Sequence, residues 1–185
     1  MNFLFNKYNH FNLANIVTFF NITCGIFAIY FLTHDEFLGA ALFAWLAGAF
    51  DIFDGKIARK FSLSTEFGIQ LDSYADFLSF VIVPAMFIYF AIFDGKEQFF
   101  SMTFIAAVFV YYVISGLRRL IQFNLNANEG EVEKYFTGIP TPLGAILLWI
   151  VYLVFLTGYI NEYFVLFFMV LVGYLLNSKI KIKHL

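Results

Sequence analysis

Four aspartates lie in two pairs beside strongly apolar stretches of the chain. Asp51 and Asp54 are three residues apart, and Asp72 and Asp76 are four residues apart. On helices, residues at these spacings share a face, so each pair points in one direction. Four like charges brought together in a low-dielectric place repel one another unless a cation neutralises them. Oxygen ligands without histidine or cysteine suit Mg²⁺, Mn²⁺ or Ca²⁺, and four carboxylates can hold two such ions.

The residues between the two pairs suit a phosphate ligand. Gly55 and Gly68 have no side chain where a bulky ligand or a second backbone must come close, and Ala58 has a small one. Arg59 offers a planar guanidinium that matches phosphate oxygens. The alternative is that the aspartates only cap helices or pair with nearby basic residues. Acidic groups in apolar, membrane-spanning segments are seldom purely structural, which favours the functional interpretation.

The segments that carry these residues are predicted to be membrane helices. Of the 185 residues, 62% are hydrophobic and 13% are charged, which is far from the composition of a soluble domain. The apolar runs approach the ~20 residues that cross a bilayer, and none alternates as a barrel strand would. We predict an all-α integral membrane protein with a bundle of six transmembrane helices. The predicted spans are Asn12–Thr33, Phe37–Phe53, Ile69–Phe93, Phe99–Phe123, Pro140–Tyr159 and Tyr163–Leu176.

The chain has no obvious linker or internal repeat, so residues 1–185 are predicted to form a single domain. Residues 12–178 are its predicted six-helix core. Residues 1–11 are predicted to form a short interfacial helix, because three of their apolar side chains can share one face; a frayed terminus is the alternative. These apolar residues are Leu4, Tyr8 and Phe11.

Basic residues are distributed unequally between the two sides of the predicted bundle. With six spans, one side carries every lysine and arginine except Lys96, and such residues accumulate in cytoplasmic loops. Both termini and the aspartates are therefore predicted to face the cytoplasm. On the same side, Asn124–Gly138 is predicted to be a mobile loop. Residues 179–185 are predicted to be a basic tail that flanks the last span or touches anionic lipid heads.

The aspartates and the small residues form one continuous pattern. The pattern is Asp51-x-x-Asp54-Gly55-x-x-Ala58-Arg59, eight further residues, and Gly68-x-x-x-Asp72-x-x-x-Asp76. It resembles the signature of the CDP-alcohol phosphatidyltransferases, integral membrane enzymes that make phospholipids, and every position of that signature is filled.

Three further stretches resemble the phosphatidylserine synthase branch of that family. They are Asn12–Thr18 with Asn21 and Gly25, Arg119–Asn124, and Tyr135–Pro142. Ala14 and Gln122 depart from the branch, which commonly has proline and arginine at these positions.

The resemblance implies roles for the signature residues. The metal ions, Mg²⁺ or Mn²⁺ and two in number, would be bound by Asp51, Asp54, Asp72 and Asp76. The CDP moiety would be contacted by Gly55, Ala58, Arg59 and Gly68. Asp76 would also be the base that takes the proton of the acceptor hydroxyl, and CMP would leave. The resemblance further implies a homodimer with a core of six helices in each copy.

Other polar residues are candidates for substrate contacts. In the first span, one helical face carries Asn15, Thr18 and Asn21, which could reach the nucleotide or could bind helices together. For the acceptor, the candidates are Arg118, Arg119, Asn124 and Thr137. A guanidinium at the end of the fourth span could receive a serine carboxylate, or it could be a positive-inside anchor. Two prolines, Pro140 and Pro142, could take part in this contact or simply start the fifth span.

The function that the resemblance implies is transfer of a phosphatidyl or archaetidyl group from a CDP-lipid to L-serine. The expected partners are these substrates and membrane lipids, and no nucleic acid. One alternative is the same chemistry with glycerol 3-phosphate or an inositol compound as acceptor. A remote alternative is a cation transporter, which would need polar groups at several depths of the membrane, whereas these acids cluster at one edge.

Overall fold

The computed structural model describes residues 3–95, 102–128, 135–179 and 181–183. Six long helices make up most of these residues. They are α1 (Leu13–Leu32), α2 (Phe37–Lys60), α3 (Glu66–Phe93), α4 (Met102–Asn128), α5 (Thr141–Leu156) and α6 (Glu162–Leu176). The all-α prediction is therefore confirmed except for one small antiparallel ribbon. In it, β1 (Tyr135–Thr137) pairs with β2 (Lys181–Lys183), residue 135 opposite residue 183.

Four helices among the described residues are long and apolar enough to cross a membrane. They are α1, α2, α3 and the Met102–Leu125 part of α4. The other two, α5 and α6, are apolar but have only 16 and 15 residues. These helices fit a membrane protein, since a bilayer core is crossed by ~20 residues.

The chain forms two compact units, and α3 passes from the first into the second after Ser79. In the first unit, α1 packs along α2 through small side chains. Ala28 of α1 and Ala40 and Ala47 of α2 are completely buried. Small residues let helix backbones approach closely where lipid provides no hydrophobic driving force between helices. This contact makes α1 and α2 the frame on which α3 is placed.

Local signals set the ends of the first helices. The Asn12 side chain caps α1 by accepting from the Asn15 backbone N–H at 3.0 Å, and Thr65 caps α3 in the same way toward Gly68. At the end of α2, Ser62 has a positive φ of 54°, and the Leu63 N–H donates to the Ala58 carbonyl at 2.9 Å. This is a Schellman arrangement, which satisfies the last carbonyls of a helix.

The third helix changes its winding twice. Phe77–Ile82 and Tyr89–Phe93 are π-helical, and Val83–Ile88 between them is α-helical. Pro84 follows the first π-helical segment and has no N–H to give to the Phe80 carbonyl. In the second unit, the completely buried Tyr112 donates its hydroxyl to that carbonyl at 3.4 Å. Tyr112 thus replaces the hydrogen bond that the proline removes.

In the second unit, α6 packs against both α4 and α5. The turn before α5 contacts the end of α6, where the Ile139 N–H donates to the Leu175 carbonyl at 3.1 Å. Pro140 and Pro142 lie at the start of α5, and Pro140 is its N-cap residue. This position agrees with the simpler interpretation of the two prolines as helix starters.

The structure corrects several predicted boundaries; α3 begins at Glu66 and not at Ile69, and α5 ends at Leu156 and not at Tyr159. α2 ends at Lys60 and not at Phe53, because good helix formers and a basic last turn prolong it after the apolar run ends. The connection to α3 is therefore only residues 61–65, shorter than expected. The predicted loop Asn124–Gly138 is partly ordered, since α4 continues to Asn128 and β1 begins at Tyr135; residues 129–134 lie outside the described residues. In the predicted basic tail, residues 181–183 form β2.

The predicted interfacial helix over residues 1–11 is wrong as far as the structure describes it. Only Phe3–Phe5 is helical, as a single 3₁₀ turn, and turns follow. Asn6 and Asn9 accept hydrogen bonds from the backbone N–H groups two residues ahead of them, at 3.1 and 3.0 Å. Such local bonds offer the backbone an alternative to a helix, so the asparagines outweigh the apolar spacing.

Gly138 provides a test of the turn before α5. Its φ is +81°, and an added Cβ would collide with the backbone carbonyl of Leu176. Gly158 has a similar φ of +77° with no other atom within 4 Å of an added Cβ. We expect Gly158→Ala to cost about 1–2 kcal/mol for the left-handed backbone alone, and Gly138→Ala to cost clearly more because the carbonyl must move. Thermal unfolding in detergent measures both, and equal melting temperatures would contradict this packing.

Candidate active site

The two aspartate pairs are carried by α2 and α3 inside the first unit. Asp51 and Asp54 lie in the second half of α2, and Asp72 and Asp76 lie in the first three turns of α3. The five-residue connection between these helices keeps both pairs near one end of the unit. The spacing within each pair leaves its two residues about 60° apart or less around the helix axis.

Three of the four carboxyl groups meet. Asp51, Asp72 and Asp76 each offer a carboxylate oxygen, and these three oxygens lie within 4.8 Å of one another. The side chains of Asp51 and Asp76 are in hydrogen-bond contact. Oδ1 of Asp76 is buried and has no hydrogen-bond partner within the described part of the chain. Carboxylates this close repel unless a proton or a cation lies between them, so the group is built to receive positive charge.

Asp54 lies beside this group but is not one of the three carboxylates whose oxygens lie within 4.8 Å of one another, so its convergence with them stays a prediction. Its side chain is 3% exposed and lies within hydrogen-bond reach of the Thr18 hydroxyl. Its Oδ2 is buried without a partner among the residues that the structure describes. Residues three apart on a helix differ by about 60° in direction, which turns Asp54 away from Asp51 toward α1.

A cavity of about 190 Å³ opens next to the carboxylates. Most of the predicted nucleotide-binding residues line it together with two of the aspartates. They are Asn15, Thr18, Asp54, Gly55, Ala58, Arg59, Gly68 and Asp72. The structure adds four lining residues that the sequence pattern did not single out, namely Ala14, Leu63, Ser64 and Ile69. Leu63 and Ser64 follow the Schellman turn of α2, and that turn was the signal that could have indicated them.

The two glycines of the pattern have different surroundings. A Cβ on Gly68 would lie 3.0 Å from Oδ1 of Asn15 and 3.3 Å from Oγ1 of Thr65, so Gly68 lets α1 and the start of α3 come together. A Cβ on Gly55 would meet only Nη2 of Arg59, at 3.9 Å. Helix packing therefore accounts for Gly68, but no described protein atom accounts for a glycine at position 55.

The two asparagines of α1, Asn15 and Asn21, have different hydrogen-bond partners. Asn15 lines the cavity, but its Nδ2 donates to the His10 carbonyl at 3.0 Å. The ring of His10 in turn stacks on Phe67, with 4.4 Å between ring centroids and 9° between their planes. Asn15 thus attaches the segment before α1 to the cavity wall. Asn21 does not line the cavity; its Oδ1 accepts from Oγ of Ser79 at 2.6 Å.

The residues predicted to bind the acceptor lie in the second unit. Arg118 donates to Oδ1 of Asn177 at 3.3 Å, and Nε of the buried Arg119 donates to the Ile139 carbonyl at 3.2 Å. Arg119 thereby helps to hold the turn before α5. Asn124 is half-buried near the end of α4, and Thr137 is the last residue of β1. Their contact with an acceptor stays a prediction.

Apolar helices of membrane-spanning length that carry a group of carboxylates beside an arginine-lined cavity are features of a membrane enzyme suited to phosphate esters. The sequence model of the CDP-alcohol phosphatidyltransferase family matches residues 11–175, and the chain belongs to this family. It is accordingly a phosphotransferase.

Curated proteins of bacteria and an archaeon are similar to the chain over most of its length. It is 31% identical over 172 residues to the CDP-diacylglycerol–serine O-phosphatidyltransferase of Helicobacter pylori, which covers 90% of this chain and 70% of that protein. For the enzyme of the same name from Bacillus subtilis the identity is 30% over 169 residues, covering 91% and 88%. The archaetidylserine synthase of Methanothermobacter thermautotrophicus is 31% identical over 171 residues, covering 91% and 68%.

The contrast between the two glycines of the pattern predicts opposite effects on stability. In a helix interior, alanine is more favourable than glycine by about 1 kcal/mol. Gly55→Ala should therefore raise the melting temperature of the ligand-free protein. Gly68→Ala should lose this gain, because Asn15 and the Thr65 cap must shift to admit the new methyl group. Thermal unfolding of both variants in the same detergent measures the difference, and a higher melting temperature for Gly68→Ala than for Gly55→Ala would contradict the described contact.

Proposed function

We propose that the protein transfers a phosphatidyl or archaetidyl group from a CDP-lipid to L-serine, with release of CMP, in a metal-dependent reaction. The observation that carries the proposal is the contact of Asp51, Asp72 and Asp76 beside a cavity lined by Arg59. Membership of the family supports the CDP-lipid donor. The names of the similar proteins in Helicobacter pylori, Bacillus subtilis and Methanothermobacter thermautotrophicus support serine as acceptor.

The residues of the site fit divalent metal ions. Asp51, Asp72 and Asp76 offer three oxygens within 4.8 Å, and Asp54 has a buried Oδ2 without a partner among the described residues. An all-oxygen set favours Mg²⁺ or Mn²⁺, and four carboxylates suffice for two ions. When bound, such ions neutralise a pyrophosphate and stabilise the charge that develops on the leaving CMP. We assign Asp51, Asp54, Asp72 and Asp76 as their ligands.

The cavity residues would hold the donor. Arg59 would bind a pyrophosphate oxygen through its guanidinium. Gly55 has no side chain although the protein around it leaves room for one, which is what a closely placed ligand requires. Ala58, Gly68, Asn15 and Thr18 line the same space. The lipid tails would remain in the bilayer while the nucleotide enters the cavity.

Asp76 would be the general base. It is the member of the group with a buried oxygen that has no partner in the described part of the chain, and it contacts Asp51, which would hold it in place. It would take the proton of the serine hydroxyl while the hydroxyl oxygen attacks the phosphorus that bears the lipid. Among the acceptor candidates, Arg118 or Arg119 would bind the serine carboxylate, with Asn124 and Thr137 as further contacts.

The proposed membrane arrangement has six spans, with α5 and α6 crossing as shorter helices. Both termini and the active site would face the cytoplasm, since all basic residues except Lys96 then lie on that side. Residues 1–185 would form a single functional domain, and two copies would form a homodimer. Cross-linking in the membrane and labelling of loop positions from either side can examine these points.

Release of CMP in proteoliposomes tests the proposed function. Purified protein receives CDP-diacylglycerol or its archaeal diether analogue with Mn²⁺ or Mg²⁺, and L-serine is supplied or omitted. We expect CMP and the serine lipid to form in equal amounts only when metal and serine are both present. Faster CMP release with glycerol 3-phosphate or inositol than with L-serine would show that this compound, and not serine, is the acceptor. Metal-driven ion flux without CMP release would contradict an enzymatic function.

Replacement of the proposed base predicts a selective loss of turnover. Asp76→Asn keeps the size and polarity of the side chain but cannot take a proton, and a general base contributes about 10²–10⁴-fold. We expect kcat to fall by about that factor while CMP still raises the melting temperature of the protein. The matched control is Asp35→Asn, an exposed acid in a turn between α1 and α2 that lies outside the cluster. Ordinary turnover of Asp76→Asn would contradict the assignment.

A further inference from the structure

Asn21 has a buried donor that the fold does not use. Its side chain is completely buried, and Oδ1 accepts from Oγ of Ser79 at 2.6 Å. Its Nδ2 has no hydrogen-bond partner among the described residues. Leaving a buried donor unpaired is destabilising, so we expect a second partner in the working enzyme.

The contact with Ser79 fixes where this amide lies. Ser79 follows Asp76 by three residues on α3, so the Asn21 amide is held about one helical turn from the proposed base. Gly25, one turn further along α1, keeps the two helices close, because a Cβ there would lie 2.9 Å from Leu78 and 3.2 Å from Oγ of Ser79. The amide therefore has little freedom to turn elsewhere.

A complementary group is unpaired on the neighbouring turn. Oδ1 of Asp76 is a buried acceptor without a partner in the described residues, whereas Nδ2 of Asn21 is a buried donor without one. A ligand atom that satisfies both must accept one hydrogen bond and donate another. A hydroxyl of the acceptor or of the nucleotide ribose and a water molecule have this capacity, whereas a phosphate oxygen, a metal ion and a nucleotide amino group do not. Of these, the acceptor hydroxyl is the group whose proton the proposed base Asp76 must take.

We propose that Asn21 binds the hydroxyl oxygen of the acceptor and presents its proton to Asp76. This inference rests on the proposed function and assigns Asn21 to the acceptor, not to the nucleotide as its place in the first span suggested. The hydroxyl accepts from Nδ2 of Asn21 and donates to Oδ1 of Asp76. As its oxygen forms the new bond to phosphorus, the proton passes to Asp76 and the bond from phosphorus to the CMP oxygen breaks, with the electron pair leaving on CMP.

Asn21→Asp tests the proposal with little change in shape. It keeps an oxygen for Ser79 and replaces the donor by an oxygen that cannot donate when ionised. We expect kcat/KM for L-serine to fall about tenfold or more, the effect of losing one hydrogen bond, while KM for CDP-diacylglycerol stays within about twofold. CMP with Mn²⁺ should still raise the melting temperature as in the unaltered protein. A raised KM for CDP-diacylglycerol with unchanged serine kinetics would overturn the proposal, and so would unchanged kinetics for both substrates.

Two further variants complete the test. Asn161→Asp is the matched control, because Asn161 caps α6 through its Oδ1 and aspartate caps a helix equally well. It should leave both substrates' kinetics unchanged. Ser79→Ala releases the amide without removing its donor and should reduce kcat/KM for L-serine by a smaller factor, about threefold. It carries the test if Asn21→Asp does not fold, and no effect of Ser79→Ala on serine kinetics then overturns the proposal.

These results separate the two levels of inference. If the unaltered protein releases no CMP with L-serine, the proposed function is contradicted. If the unaltered protein is active but Asn21→Asp and Ser79→Ala do not change the kinetics for L-serine, only the role of Asn21 is contradicted.

Discussion

The first unit depends on holding like charges together in an apolar surrounding. Asp51 and Asp76 are in hydrogen-bond contact and Asp72 is within 4.8 Å, on helices whose other faces are buried against helices or suited to lipid. Without a positive partner this arrangement opposes folding, because burial and mutual repulsion both disfavour ionised carboxylates. The short connection of residues 61–65 and the alanine contact between α1 and α2 are what keep the carboxylates together. A bound cation would be attracted to all of these carboxylates and would offset their mutual repulsion. For this reason we place the metal at the centre of the proposed function.

The first helix has more influence on the site than its apolar character suggests. Asn12 starts it, Asn15 connects it to the preceding segment, and Asn21 joins it to α3 beside Asp76. Asn15 and Asn21 are buried, while aromatic side chains of α1 such as Phe20 and Phe27 are exposed. An amide in an apolar surrounding is stabilised by hydrogen bonds, which Asn12 and Asn15 make within the first unit and Asn21 makes with Ser79. The helix thereby contributes Asn15 to the lining of the cavity and Asn21 to the contact with α3 near Asp76.

Much of this could be predicted from the sequence, and the parts that could not depended on tertiary contacts or local competition. Hydropathy placed α1 within one residue at each end, and the spacing of the aspartates predicted their shared faces. Hydropathy placed the end of α2 at Phe53, where the apolar run stops. The helix continues to Lys60 because the following residues favour a helix, and the Schellman turn ends it there. Hydropathy could not predict the π-helical turns of α3, since the carbonyl freed by Pro84 is satisfied by Tyr112 from a distant part of the chain. The sequence also did not predict that Asp54 lies beside Thr18 of α1 and outside the group of Asp51, Asp72 and Asp76.

Titration with Mn²⁺ followed by electron paramagnetic resonance measures whether the group of Asp51, Asp72 and Asp76 binds divalent ions. Free Mn²⁺ gives a sharp signal that broadens on binding, so purified protein in detergent should remove a saturable amount, about two ions per chain, with Mg²⁺ competing for the same sites. Asp72→Asn should remove most of this binding, whereas Glu66→Gln, an acid at the start of α3 outside the group, should preserve it. Equal Mn²⁺ binding by the unaltered protein and by Asp72→Asn would contradict the account, as would no saturable binding at all.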